Sequence, residues 1–370
     1  MSKARDLADL GAVTDRLDTV GASDGALSNR NLIINGGMQV AQRGTSVTGV
    51  TANGYYACDR WFSNIQNGTW AISQEADAPD GFSKSIKYLC TATGAAQVVQ
   101  HAQIIEGSNA QNLAYGTSSA KDITVSFWVK SNVTGTYAMR MYNPQGTGRL
   151  IAQNYTITAS GVWEYKTITF AGDTVRDIAD GNVYGINAAW WLSAGSSFST
   201  GSTSTVWQNY AGVNEAPNQV DVAASVNNYF QITGVQLEVG DTATPFEHRS
   251  YGDELARCQR YCVVDTHNAV SGGSFVGYWS GSTFAEGHRF LPVEMRAVPT
   301  ISVPTIGSVY ALIPQTSWVQ ASAFGQNEST TQLVKCTFTC SSNGSYNTAS
   351  RNGTMLALRA SGSIVFDSEL

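Results

Sequence analysis

The sequence predicts an all-β protein: a jelly-roll β-sandwich followed by a smaller antiparallel β domain, with a short N-terminal helical segment and a linking helix. Three observations predict it. Short stretches of two-residue apolar alternation recur along the chain, separated by Gly, Asn and Ser. Charged residues make up only 14% and glycines number 36, a mix that suits strands and turns with hydroxyls and amides on the surface. The length of 370 residues exceeds what one small core organises, so two domains and an appendage are expected.

Residues 1–28 differ from the rest. They carry charges and no aromatics, and Leu10, Val13, Leu17 and Val20 follow a 3-4-3 spacing that fits two turns of a coiled-coil seam. Gly11 interrupts it, and a helix this short needs a partner to persist in water. The expectation is a docking helix or short trimer-forming coil, with a frayed, partly helical terminus as the alternative, followed by a Gly/Ser/Asp/Asn linker.

Residues 29–248 read as the sandwich. Asn35-Gly36-Gly37 is a turn signal behind an apolar triplet. The clearest strand is 123–130, ITVSFWVK, with Ile123, Val125, Phe127 and Val129 on one face and Trp128 and Lys130 on the other. In 136–142, Tyr137, Met139 and Met141 oppose Ala138, Arg140 and Tyr142. Further strands are expected at 85–91, 98–105, 163–170, 183–192 and 230–239, the last with a bulge at Gly234 because its alternation slips there. The low-complexity stretch 193–208 is expected to be mobile. Trp61 is expected in the core or an interface.

Residues 249–262 predict the linking helix, with Leu255, Cys258 and Cys262 as its apolar stripe. Residues 263–370 return to strand character at 274–279, 300–304, 309–313, 333–340, 354–360 and 364–367, punctuated by prolines. The six cysteines include two C-x-x-x-C pairs, Cys258/Cys262 and Cys336/Cys340. Without a nearby His or a zinc-ribbon spacing these read as buried thiols, and no metal ligand set is assigned.

Composition excludes several functions. A net charge of −6 gives no footprint for nucleic acid. No apolar run is long enough for a transmembrane helix, and MSKARDLADLG lacks a signal-peptide core, so synthesis in the cytoplasm without membrane insertion is expected. No catalytic motif is present, and the four histidines are scattered. Glu75, Glu106, Glu164 and Asp180 cannot be paired across a cleft from spacing alone. The chain is therefore read as a non-enzyme without a cofactor. Sugar binding needs flat aromatic faces with a few orienting polar groups. Trp128, Arg140, Tyr142 and Trp191 are the candidate glycan-binding residues, expected to share one sheet face. Outward aromatics of such a sandwich are more often covered by a loop or an oligomer interface.

Particular phrases carry a resemblance. NLIINGGMQVAQRGTS, AYGTSSAKDITVSFWVKS, ITGVQLEVGDTATPFEHRSYGDELARCQRYC and RFLPVEMRAVPT resemble bacteriophage tail-fibre and virion appendage proteins, over nearly the whole chain. The first domain is similar in plan to carbohydrate-binding-module jelly rolls of the CenC type, through Asn35-Gly36, Ser126-Phe127-Trp128-Val129-Lys130 and Gly234-Val235-Gln236-Leu237-Glu238. The resemblance implies a virion protein, docked to other tail or appendage proteins through residues 1–28, homotrimeric, and attaching to a host-surface glycan. A purely architectural part (capsid decoration, collar or baseplate) and a polysaccharide-degrading appendage are the alternatives it allows. It also implies a structural calcium in the jelly roll, but Gly37-Met38-Gln39 stands where the group has an aromatic-acidic pair.

Overall fold

The computed structural model describes residues 29–94, 98–267, 273–279, 283–303, 309–313, 317–340, 354–358 and 362–370. The predicted N-terminal docking segment, residues 1–28, lies outside these. The chain divides into two compact units, with the division between Ser250 and Tyr251.

The first unit is a jelly-roll sandwich. Its strands in chain order are β1 (Ser46–Val50), β2 (Gly54–Tyr55), β3 (Phe62–Gln66), β4 (Thr69–Glu75), β5 (Ser85–Ala92), β6 (Val98–Glu106), β7 (Ile123–Ser131), β8 (Gly135–Asn143), β9 (Arg149–Ile157), β10 (Glu164–Phe170), β11 (Tyr184–Ala194), β12 (Gln208–Asn209) and β13 (Tyr229–Val239). They form a six-stranded sheet in the order β1-β4-β5-β13-β7-β10 and a seven-stranded sheet in the order β12-β9-β8-β11-β6-β3-β2. Every pairing is antiparallel.

The core follows the alternation of the sequence. Ile123, Val125, Phe127 and Val129 point inward from the six-stranded sheet, and Tyr137, Met139 and Met141 meet them from the seven-stranded one. Trp61, Trp70 and Trp190 are fully buried there. Such aromatic burial dominates core energetics. On β13 the inward residues are Phe230 and Ile232, then Val235 and Leu237. The two-residue period slips at Gly234, which adopts φ +62, and the register against β7 shifts between Thr233 and Gln236. The expected bulge is thus present, and it keeps four apolar side chains inward.

One titratable group sits inside this core. His101 on β6 stacks on Trp61, with ring centroids 4.2 Å apart at 18°. Its Nδ1 lies 2.9 Å from the Tyr88 hydroxyl, which also contacts Ser63 Oγ at 2.7 Å. Burial pushes the imidazole pKa down to about 3 from 6.5.

The opening turn is stitched to the closing strand. Asn35 takes φ 58, and its side chain donates to the carbonyls of Val40 (2.8 Å) and Asp59 (3.0 Å) while accepting from the Val40 N–H. The Val235 N–H donates to the Gly36 carbonyl at 3.0 Å. A Cβ at Gly36 would fall 2.1 Å from the Val235 carbonyl oxygen, a backbone atom that cannot swing aside. Gly36→Ala is therefore expected to destabilise the sandwich by roughly 2–3 kcal/mol, in line with other overpacking substitutions. Urea unfolding monitored by tryptophan fluorescence checks this; an unchanged midpoint would contradict the close approach.

The residues here do not fit the structural calcium. A calcium site takes six to eight oxygens, yet Met38 is buried in the apolar core where the acid would stand. Among the described residues no three His, Cys, Asp or Glu gather as a metal-holding group.

The second unit begins with a helix, Tyr251–Gln259. It is shorter than the predicted stripe. The helix stops before Cys262, which opens a strand instead, so Cys258 and Cys262 are both buried but on different elements. Leu255 is only half-buried. The strands are β14 (Cys262–His267), β15 (Gly273–Trp279), β16 (Phe284–Phe290), β17 (Thr300–Ser302), β18 (Val309–Ile313), β19 (Ser317–Gln326), β20 (Leu333–Cys340), β21 (Thr354–Leu358) and β22 (Gly362–Asp367). Six of them close a barrel in the order β15-β16-β20-β19-β18-β21, and β14-β22-β17 form a separate sheet. Phe275, Val334, Phe338 and Phe366 are among its core residues. Cys336 and Cys340 lie on the buried face of β20, as a period of two requires. All six cysteines are buried.

Candidate functional site

The outer face of the seven-stranded sheet carries a dense polar and aromatic cluster. Arg140 projects outward from β8 and is nearly buried. Its Nε donates to Glu215 Oε2 at 2.6 Å and its Nη1 to Asn187 Oδ1 at 2.7 Å. Tyr210 donates its hydroxyl to the other Glu215 oxygen at 2.8 Å. Gln100 on β6 reaches Glu215 at 3.4 Å, and Asn64 on β3 donates to Gln100 at 3.2 Å. The network thus crosses four neighbouring strands, β8-β11-β6-β3, and ends on a carboxylate brought in from outside the sheet.

Tyrosines surround it. The Arg140 guanidinium lies 5.1 Å from the Tyr142 ring centroid. Tyr142 and Tyr210 meet edge-to-face at 5.5 Å. Tyr142 and Tyr184 are half-buried, and Tyr210 is 43% exposed. Burial raises the Tyr184 pKa to about 12; Arg140 pulls it down while Tyr142 and Glu215 push it up. Tyr210 is also raised to about 12, by burial first and then by its hydrogen bond to Glu215. Both rings therefore stay protonated donors at any physiological pH.

Residues 195–216 supply Glu215 and Tyr210 by folding back over the sheet. This excursion holds a short helical turn, Ser196–Ser199, and the edge strand β12. The segment expected to be mobile is fastened at Trp207, whose Nε1 donates to the Ala171 carbonyl at 2.7 Å while its own carbonyl accepts from Arg149 at 2.9 Å. Trp191 lies beneath it, fully buried against Phe198, Val98, Ala138 and Ala216.

The four sequence candidates therefore do not share one face. Arg140, Tyr142 and Trp191 are on the outer face of the seven-stranded sheet, with Trp191 covered. Trp128 belongs to the other sheet, because the chain crosses between sheets at the 132–134 turn instead of closing a hairpin. There Trp128 packs beside Tyr165 at 5.3 Å, its cross-strand neighbour on β10. Trp163 stands nearby, 5.0 Å from Lys130 Nζ and donating to Asp77 at 3.1 Å. The Lys130 hydrogen bond is the main cause holding the Asp77 carboxyl below its usual range. Of the acidic residues considered for catalysis, Glu106 lies on the seven-stranded sheet and Glu164 on the six-stranded one. Tyr184, Tyr210, Glu215 and Asn187 were not found from the sequence.

No family model matches the chain. No curated protein matches it either. Solved structures similar to it include the enzymatically active domain of tailspike protein 4 of bacteriophage CBA120, at 13% identity and a TM-score of 0.34, covering 57% of this chain and 21% of that one. The chain thus spans about a fifth of that tailspike domain. A family 4 carbohydrate-binding module aligns at 13% identity and a TM-score of 0.29, over 55% of this chain and 97% of the module. A family 61 module in complex with β-1,4-galactotriose aligns at 9% identity and a TM-score of 0.30, over 57% and 99%. Scores this low decide nothing about the site, which is defined by its own geometry.

Proposed function

We propose that this chain is a non-catalytic, glycan-binding component of a bacteriophage virion appendage, and that the outer face of the seven-stranded sheet is its sugar site. The observation that carries the site is the group of three partly accessible tyrosines, Tyr142, Tyr184 and Tyr210, set around the Arg140–Glu215–Asn187 network. Phenol rings offer flat faces to the C–H surface of a sugar. The buried network beneath holds these rings in place, so a sugar would meet them with little ordering penalty. The virion role, attachment through residues 1–28 and a trimeric state rest on the resemblance of the sequence phrases. Localisation on the particle follows from the same reading.

Purified protein should label host cells, and free envelope polysaccharide should compete. Tyr210→Ala and Tyr142→Ala should each weaken binding several-fold, equivalent to about 0.5–1.5 kcal/mol per aromatic contact. Tyr210→Ala also removes the hydrogen bond to Glu215, so the thermal midpoint is measured beside the affinity, and Tyr210→Phe, which keeps the ring, should retain most of the binding. Absence of labelling at micromolar concentration would favour an architectural role, which the complete covering of Trp191 also suits. Release of reducing sugar from host glycan would overturn the non-catalytic assignment.

A further inference from the structure

The barrel of the second unit has its own concave feature. Side chains on its outer wall alternate with the buried Ala285, Cys336 and Phe338. Register sets His288 opposite both Val276 and Lys335, and Glu286 opposite both Tyr278 and Thr337. Two rows of outward side chains therefore lie side by side across β15, β16 and β20. The chain after β19 folds over them: the Asn327 N–H donates to the Lys335 carbonyl at 2.9 Å, and its side-chain amide donates to Thr337 Oγ1. The result is a cavity of about 430 Å³ lined by Tyr278, Glu286, His288, Asn327, Glu328 and Lys335. That volume falls within the roughly 300–1,000 Å³ of small-molecule sites.

Its chemistry narrows the ligand. Tyr278 donates to Glu286 Oε2 at 2.5 Å, which fixes the carboxylate as an acceptor. Lys335 lies 3.9 Å from Glu328, whose side chain is 94% exposed, so this loose pair leaves the ammonium available as a donor. Two carboxylates beside one lysine disfavour a phosphate or other polyanion. The polar lining disfavours a purely apolar ligand. Hydroxyl groups, each donor and acceptor at once, match the alternation of acceptor and donor side chains. The rings of Tyr278 and His288 lie within 20° of parallel with centroids 6.3 Å apart, and they add aromatic carbon to the polar lining. Beside the cavity, Val276 and Phe290 are 75% and 77% exposed. Val276 lies across from His288, and Phe290 lies two residues beyond it on the same face of β16. An apolar substituent of a bound sugar would cover them.

We propose that this cavity is a binding site, separate from the sandwich face, for a short neutral saccharide carrying an apolar substituent such as an acetamido methyl. The site does not depend on the sandwich reading. Its test uses the full chain carrying Tyr142→Ala and Tyr210→Ala, so that failure of one site is not mistaken for failure of the other. Saturation-transfer NMR with N,N′-diacetylchitobiose as probe, and maltose as the control without the substituent, reads binding directly. The probe should bind with a millimolar constant and more tightly than maltose. Glu286→Gln and Lys335→Ala should each weaken it by about tenfold or more, as loss of a charged hydrogen-bond partner does. Phe290→Ser should erase the preference over maltose. All three positions are at least partly exposed, and an unchanged thermal midpoint confirms the fold. No probe signal at about 10 mM, or binding undiminished in both Glu286→Gln and Lys335→Ala, overturns the proposal.

Discussion

Arg140→Ala is expected to destabilise the sandwich by about 3–5 kcal/mol, the cost of leaving a buried partner charge uncompensated. The side chains of Arg140 and Glu215 are only 10% and 6% exposed, and they meet at 2.6 Å. Removing the guanidinium strands the Glu215 carboxylate and one face of Asn187 together. The excursion that Glu215 fastens to the sheet should loosen, so the proposed glycan binding should fall with stability. Arg140→Met combined with Glu215→Gln removes both charges and should recover a large part of the loss, because a neutral amide that keeps its Tyr210 partner leaves no stranded charge. Urea unfolding of the two variants checks this. If Arg140→Ala costs less than about 1 kcal/mol, the magnitude expected of a solvent-screened pair, the network is not holding the excursion.

The second large effect is acid sensitivity from His101. The folded imidazole is held neutral down to about pH 3 by burial, whereas the unfolded chain takes up the proton near pH 6.5. Between those values the unfolded state binds more protons, so stability is full above pH 6.5 and declines as pH falls. The slope should reach about 1.4 kcal/mol per pH unit. Glu164, lowered to about 2 because Lys166 and the Thr158 and Ala159 N–H groups outweigh its burial, loses its contribution only as pH falls from about 4.5. The interval from 6.5 to 4.5 therefore isolates His101. His101→Phe keeps the stack on Trp61 and leaves Tyr88 its Ser63 partner. Its thermal midpoint should be nearly flat across that interval while the parent's falls. Parallel curves would show that the parent's slope arises elsewhere.

The fold was legible wherever one strand face meets the core and the other meets solvent or polar neighbours. β7, β8 and β20 announce themselves that way, and Gly234 announces its bulge because the alternation skips there. β9 was missed for the opposite reason. Leu150 and Ala152 point outward yet are buried, so the period of two is blurred at its start. β4 has only Trp70 and Ile72 as large inward residues, too few to stand out. The site was half legible. Arg140 and Tyr142 could be found because alternation along one strand is local information. Tyr210 and Glu215 could not, since they reach Arg140 across 70 or more residues from irregular chain whose composition signals only a loop. Trp128 was placed wrongly because a tight turn between successive strands usually closes a hairpin. Whether a chain stays in one sheet or crosses to the other is decided by the whole core, not by the turn.

The seam between residues 29–34 and 235–249 has a mechanical consequence. Asn31 accepts from the Leu237 N–H at 3.0 Å and donates to the Val235 carbonyl at 3.1 Å, and Leu32 donates to the Leu237 carbonyl at 2.9 Å. Glu247 accepts from the Asn31 N–H at 3.0 Å, and Arg249 donates to the Ile33 carbonyl at 3.0 Å. The chain thus enters and leaves the sandwich at one spot. A pull applied at residue 29 and resisted at residue 250 would load these few bonds in parallel, while the two sheets hang beside the line of force. The sandwich would keep its shape under tension that a domain strung end to end would have to bear through its core.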